Sequence, residues 1–195
     1  MTAALSAPRG ARAVFLDRDG VLIRAIRRNG RPYSAAALAD AELLPLVREA
    51  CASLKRAGAV LIAVTNQPEL SRGTLDTDVV AAIHDWLRRQ VDLDDVLTCP
   101  HDDEDACACR KPKPGMLTTA AREWQLDLRA SVMVGDRWRD VEAGRRAGCK
   151  TVFVDRGYDE KRPRDPDLTV EDLPGAVPWI LNFWNGGELP DEHQA

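Results

Sequence analysis

The sequence predicts a doubly wound α/β fold on a parallel sheet. Three observations carry that reading: short apolar runs that each close on polar residues, amphipathic helical patterns between the runs, and regular alternation of the two. The first run, 13–16, closes on Asp17. A helical pattern follows at Leu43, Val47, Ala50, Cys51 and Leu54, with Pro45 in its first turn and Gly58 just past its end. The second run, 60–64, closes on Thr65, and Val79, Ile83, Trp86 and Leu87 mark the next helix. A short third run at 96–97 precedes Cys99, and a helix behind Pro114 carries Met116, Leu117, Ala120, Ala121 and Trp124. The fourth run, 132–134, closes on Gly135, before a helix over 141–147 that Gly148 stops. The fifth run, 151–154, closes on Asp155; the charged, Pro-containing stretch 158–172 is expected as a surface loop before a last helix over 177–184.

A chain of 195 residues fits one domain, expected over 13–184, with a flexible start at 1–12 and a disordered tail at 185–195. Its 27 Lys and Arg against 31 Asp and Glu give a formal charge of −4, which speaks against nucleic acid or an acidic membrane as partner. The sequence has no apolar stretch of signal-peptide or membrane-span length, so a cytoplasmic location is expected. Thiols stay reduced there, which argues against a disulfide framework for the five cysteines. Cys51 and Cys149 read as packing residues, and His84 reads as lying on the polar side of its helix without a partner.

Ligands of open α/β sheets bind beyond the carboxyl ends of the strands, so the residues closing each run hold the functional information. After the first run come Asp17-Arg18-Asp19-Gly20, two carboxylates that reach one site once the chain leaves the pleat, with Gly20 allowing a sharp turn. One such carboxylate can attack phosphorus and the other can move a proton. Taken alone, the tetrapeptide fits a solvated pair in a turn better than a catalytic pair, because so short a pattern arises by chance. The second run closes on Thr65-Asn66-Gln67, a set of hydroxyl and amide groups suited to phosphate oxygens. Arg110 and Lys111 offer an oxygen grip and a neutralising charge, and Asp136 before Arg137, with Asp140 one turn on, offers carboxylates for a hard cation such as Mg²⁺.

Cys99, His101, Cys107 and Cys109 put three thiolates and one imidazole within eleven residues. That set suits a closed tetrahedral Zn²⁺ site, with a redox-sensitive thiol cluster as the alternative. Four protein ligands leave no open position, so the expected zinc is structural, and it would rigidify the loop that delivers Arg110 and Lys111.

The order of these pieces, an Asp pair, a Thr, a Lys and a Gly-Asp each behind its own apolar run, resembles the four motifs of the haloacid dehalogenase superfamily. The resemblance runs from about Val14 to Tyr158 and is closest to the zinc-containing branch of sugar-phosphate and histidinol-phosphate phosphatases. It implies a Rossmann-like sheet of strand order 3-2-1-4-5, essentially capless because only about 45 residues lie between Asp19 and Thr65. It further implies Asp17 as nucleophile and Mg²⁺ ligand, Asp19 as general acid/base touching the metal through its carbonyl, and Asp136 as Mg²⁺ ligand. Thr65 and Lys111 would steady the phosphoryl group, while Asn66, Gln67, Arg110 and Arg137 would meet the substrate.

The expected activity is Mg²⁺-dependent hydrolysis of a phosphomonoester by a monomer, with a heptose bisphosphate or similar small sugar phosphate as substrate. The short segment between the zinc ligands resembles the histidinol-phosphate enzymes and keeps that substrate as the alternative. A polynucleotide phosphatase and a non-catalytic zinc-loop interaction protein are the more distant readings. The basic stretch 24–33 reads equally as a flap beside the first strand or as a basic surface turn.

Overall fold

The computed structural model describes residues 10–187. Six strands form one parallel sheet: β1 (Ala13–Leu16), β4 (Val60–Asn66), β5 (Asp95–Cys99), β6 (Val132–Gly135), β7 (Lys150–Val154) and β8 (Leu168–Val170), in the order β5-β4-β1-β6-β7-β8. The five strands from β5 to β7 reproduce the 3-2-1-4-5 arrangement, with β8 added at the β7 edge. A separate antiparallel hairpin, β2 (Ile26–Arg28) with β3 (Arg31–Tyr33), occupies the stretch expected as a flap.

Alternation along the strands sorts their side chains between two cores. Val14 and Leu16 of β1 join Leu61 and Ala63 of β4, and this face is covered by α1 (Val47–Arg56), α2 (Thr77–Gln90) and α5 (Leu173–Trp184). Ala13 and Phe15 point the other way, with Val60, Ile62, Val64 and Met133, towards α3 (Gly115–Glu123). On that side also lies α4 (Trp138–Ala147), where Gly144 stands so near Met133 that a Cβ would come within 2.7 Å of the methionine Cβ. Both faces of the sheet are therefore buried, which is why its strands read as continuous apolar runs. Each fully buried Leu or Ile contributes about 1.5–3 kcal/mol of transfer free energy, enough to anchor strands whose ends must hold charged groups.

Two elements differ from expectation. The stretch 158–172 is not loop throughout: Leu168, Thr169 and Val170 pair with Val152, Phe153 and Val154 as a sixth strand. Asp167 prepares that pairing by accepting from the Thr151 N–H at 2.8 Å and the Thr151 hydroxyl at 3.0 Å. A three-residue strand among charges and prolines has no periodicity to announce it. The last helix also starts earlier than residue 177, because Asp172 caps it by accepting from the Gly175 N–H at 2.9 Å.

Residues 1–9 and 188–195, most of the expected flexible start and tail, lie outside the described residues. Gly10 donates its N–H to Gln125 at 3.0 Å, and Ala11 bridges to Leu126. Among the described residues no helix is long and apolar enough to cross a membrane.

Candidate active site

The carboxyl ends of β1, β4 and β6 meet at a cleft of about 380 Å³, lined by Asp17, Asp19, Thr65, Asn66, Arg110, Lys111, Asp136, Arg137 and Asp140 among others. Asp17 is fixed at the end of β1 by its N–H, which donates to Val134 at 2.9 Å. The chain then folds back sharply, with the Arg18 carbonyl accepting from Leu22 at 3.0 Å and Ile23 at 2.9 Å. That turn is what lets Asp17 and Asp19 both face the cleft. Gly20 makes the turn with φ +87°, and a Cβ there would lie 1.7 Å from Asp136 Oδ2.

Lys111 is the hub of the site. Its buried ammonium donates to Asp17 Oδ1 at 2.7 Å and to the Val64 carbonyl at 2.8 Å, and lies 2.6 Å from Asp140 Oδ1. Burial alone would depress its pKa, but Asp140 and Asp17 hold it above the ordinary lysine value. The Asn66 side chain fixes the backbone of Lys111, and Arg110 bonds Asp103 and the His101 carbonyl.

Asp17, Asp136 and Asp140 bring carboxylate oxygens within 4.8 Å of one another, all buried. Among the described residues neither oxygen of Asp136 makes a hydrogen bond of good geometry, although the neighbouring Tyr158 hydroxyl favours its ionised form. Burial, and then Asp17 and Asp140, push its carboxyl well above the usual range. Burial also pushes Asp140 up to about 6 against the pull of Lys111, with Asp17 adding to the rise. Three buried carboxylates against one ammonium leave a net negative site with unspent oxygen ligands, which fits a hard divalent cation such as Mg²⁺.

Asp19 is held differently. Its Oδ2 accepts from Arg18 Nη2 at 2.9 Å, Arg18 Nε and Ser34 Oγ at 3.1 Å, and Gln67 Nε2 at 3.2 Å. Its Oδ1 is buried and has no partner among the described residues. Thr65 Oγ1 accepts from Gln67 Nε2 at 2.9 Å. Of the residues expected at the substrate, Gln67 is therefore found elsewhere: it is buried behind Asp19 and does not line the cleft. Asn66 lines the cleft, but both ends of its amide are engaged by Lys111. Arg137 reaches the cleft while paired with Glu160.

The Cys and His residues converge as a second cluster. Cys99 Sγ lies 3.3 Å from Cys109 Sγ and 3.7 Å from Cys107 Sγ, and His101 Nδ1 lies 3.3 Å from Cys109 Sγ. A tetrahedron of thiolates about 2.3 Å from a Zn²⁺ has edges of about 3.8 Å, so these separations fit one ion. Burial raises the thiol pKa values of Cys99 and Cys109, and a bound cation is what would let the group ionise together.

Several site residues were not singled out in the sequence. Arg18 is wholly buried, and Ser34 joins it at Asp19. His84, expected on a polar face without a partner, is instead buried, with Nε2 3.1 Å from Arg18 Nη1. A signal for it existed: Val80, Ile83, His84 and Leu87 share one face at helical spacing.

Comparison with known proteins agrees with this geometry. The family described as HAD-hydrolase-like matches residues 108–176. The chain is 36% identical over 189 residues to the D-glycero-beta-D-manno-heptose-1,7-bisphosphate 7-phosphatase of Photorhabdus laumondii, covering 88% of this chain and 97% of that one. It is 36% identical over 156 residues to the enzyme of the same name from Bordetella bronchiseptica, covering 76% and 83%. The crystal structure of the D,D-heptose 1,7-bisphosphate phosphatase of B. bronchiseptica complexed with magnesium and phosphate superimposes with TM-score 0.73 at 32% identity, covering 88% of this chain and 98% of that one.

Proposed function

The chain belongs to the haloacid dehalogenase-like phosphatases related to D-glycero-D-manno-heptose-1,7-bisphosphate 7-phosphatase, and from that membership we propose that it removes the 7-phosphate of D-glycero-D-manno-heptose 1,7-bisphosphate through a phosphorylated Asp17. The observation that carries the reading is the division of labour between the two carboxylates of the first motif. Lys111 holds Oδ1 of Asp17 and leaves Oδ2 for attack on phosphorus, while the partnerless Oδ1 of Asp19 is the atom fit to exchange a proton.

In the first step the Asp17 oxygen bonds to phosphorus and the ester P–O bond breaks, its electron pair leaving on the sugar oxygen. That oxygen takes a proton from Asp19. In the second step Asp19 takes a proton from water as the water oxygen bonds to phosphorus and the P–O bond to Asp17 breaks, which releases phosphate, restores the Asp17 carboxylate and returns Asp19 to its protonated form. Lys111 and Thr65 steady the transferred group. Asp17, Asp136 and the backbone carbonyl of Asp19 would hold Mg²⁺, with Asp140 beside them; the ion would offset the charge between carboxylate and phosphate dianion. Cys99, His101, Cys107 and Cys109 would hold a structural Zn²⁺.

Besides the catalytic residues the cleft is lined by Arg31, Arg72, Arg110, Arg137 and Arg139 against Glu69, Asp103 and Glu160. This excess of guanidinium favours a substrate with a second phosphate and disfavours histidinol phosphate, whose other end is cationic. Phosphate release from the heptose bisphosphate, sugar monophosphates and histidinol phosphate, each with Mg²⁺ and with EDTA, tests the proposal. Preference for the bisphosphate, lost in EDTA and in Asp17→Asn, is expected. Preference for histidinol phosphate would overturn the substrate, and a fully active, folded Asp17→Asn would overturn the mechanism.

A further inference from the structure

Among the described residues Arg18 is the largest side chain with no exposure at all. A guanidinium in that position must be paired or it is strongly destabilising. Its partners are specific. Nε and Nη2 both bond one oxygen, Oδ2 of Asp19, at 3.1 and 2.9 Å. Nη1 meets Nε2 of His84 at 3.1 Å, and His84 rests on the buried face of α2 among Val80, Ile83 and Leu87. Because an arginine only donates, Nε2 must accept, which puts the ring proton on Nδ1.

The consequence falls on Asp19. Four donor atoms, from Arg18, Ser34 and Gln67, crowd Oδ2, whereas Oδ1 has none. A carboxyl proton placed on Oδ2 would face N–H and O–H donors and be repelled. Placed on Oδ1, it meets no competing donor.

We propose that Arg18, held by His84, is a positioning residue that saturates Oδ2 of Asp19 and so reserves Oδ1 as the oxygen that gives the proton to the leaving group and later takes one from water. The assignment rests on the reading of Asp19 as general acid/base. It gives α2 a part in the chemistry, since the chain from His84 through Arg18 fixes both the rotamer of Asp19 and which of its oxygens works. Neither Arg18 nor His84 lines the cleft.

The test compares kcat/KM for two esters, because that ratio reports the steps up to departure of the leaving group. An alkyl phosphate needs a proton on its leaving oxygen; p-nitrophenyl phosphate releases a stable phenolate and does not. Arg18→Met and His84→Leu are expected to lose on the order of a hundredfold on the alkyl ester and less than about tenfold on the aryl ester, the range general acid catalysis supplies. His84→Gln, whose carbonyl oxygen can accept from Nη1, should restore the ratio between the esters towards the native value. If Arg18→Met does not fold, the two His84 variants decide the matter, with thermal unfolding measured for each. Equal losses on both esters, or no rescue by Gln, overturn the proposal. Asp19→Asn is measured beside them: selective loss there without selective loss in the Arg18 and His84 variants sinks this inference alone, whereas no selective loss in Asp19→Asn sinks the acid/base reading beneath it.

Discussion

The side-chain amide of Asn66 pairs with the backbone of Lys111 as a neighbouring strand would: the Lys111 N–H donates to Oδ1 at 3.1 Å, and Nδ2 donates to the Lys111 carbonyl at 3.0 Å. Lys111 follows the Cys/His loop, whose course is not set by a strand ladder, so this clamp ties its ammonium to the end of β4. Asn66→Ala should therefore lower kcat by about tenfold to a hundredfold, the scale of loss from displacing a catalytic charge by about 1 Å. Steady-state kinetics with saturating Mg²⁺ checks this, and a fall confined to KM would assign Asn66 to substrate contact instead.

Gly20 combines a left-handed backbone with contact, and the two effects separate by comparison with Gly58. Both have similar φ, +87° and +84°, but a Cβ at Gly58 meets nothing within 4 Å, whereas at Gly20 it would lie 1.7 Å from Asp136 Oδ2. Gly58→Ala is expected to cost only the backbone strain, about 1–2 kcal/mol by urea unfolding, with activity kept. Gly20→Ala should pay that strain and also displace Asp136, losing on the order of a hundredfold or more in kcat/KM. Equal activity in the two variants would show that Asp136 moves aside at no cost.

Much of this site was legible because its residues sit where strands end. Asp17, Thr65 and Asp136 each close an apolar run, and run ends are visible in a sequence. Lys111 was found differently, through its place beside four metal-type ligands. What escaped notice is set by tertiary contact. Gln67 follows Thr65 in an apparent phosphate-binding triplet, yet its amide turns inward to Asp19 and Ser34. Arg18 stands between two aspartates, and nothing in its neighbours says that it is wholly buried, since charged residues seldom are. Leu168, Thr169 and Val170 become a strand only because the β7 edge and Asp167 await them.

The buried imidazole of His84 gives stability a pH dependence whose sign can be worked out. Burial, then Arg18 and Arg88, lowers its pKa from 6.5 to about 3. Between those values the unfolded chain binds a proton that the folded chain does not, so stability is complete above about pH 6.5 and is lost progressively as pH falls towards 3. From pH 7.5 to 5 the loss from this one group is about 2 kcal/mol. Urea unfolding of the native protein and His84→Gln at both pH values isolates it, because other titrating groups cancel in the difference. The native protein should lose about 2 kcal/mol more than the variant over that interval; parallel losses would mean that His84 is protonated in the fold.

The Cys/His loop and the Asp cluster should respond separately to metal removal. Arg110 and Lys111 leave the loop directly after Cys109, the Arg110 N–H lies 3.4 Å from Cys107 Sγ, and Lys113 Nζ donates to the carbonyls of Ala106 and Cys107 at 3.0 and 2.6 Å. If one Zn²⁺ holds the three sulfurs and His101, its loss frees the segment that aims Lys111 at Asp17. Mild EDTA treatment that strips only Mg²⁺ should abolish activity reversibly, with full recovery on adding Mg²⁺. A strong chelator under reducing conditions, or Cys109→Ser, should remove about one zinc per chain by elemental analysis and lower kcat by on the order of tenfold to a hundredfold in a way that Mg²⁺ does not restore. Cys109→Ser also leaves three ligands and an open position, so residual zinc in it should exchange readily with a colorimetric chelator while the native ion does not. Native activity in zinc-free protein would show that packing around the loop, including the Gly115 N–H that donates to the Ala108 carbonyl at 3.2 Å, is enough to aim Lys111.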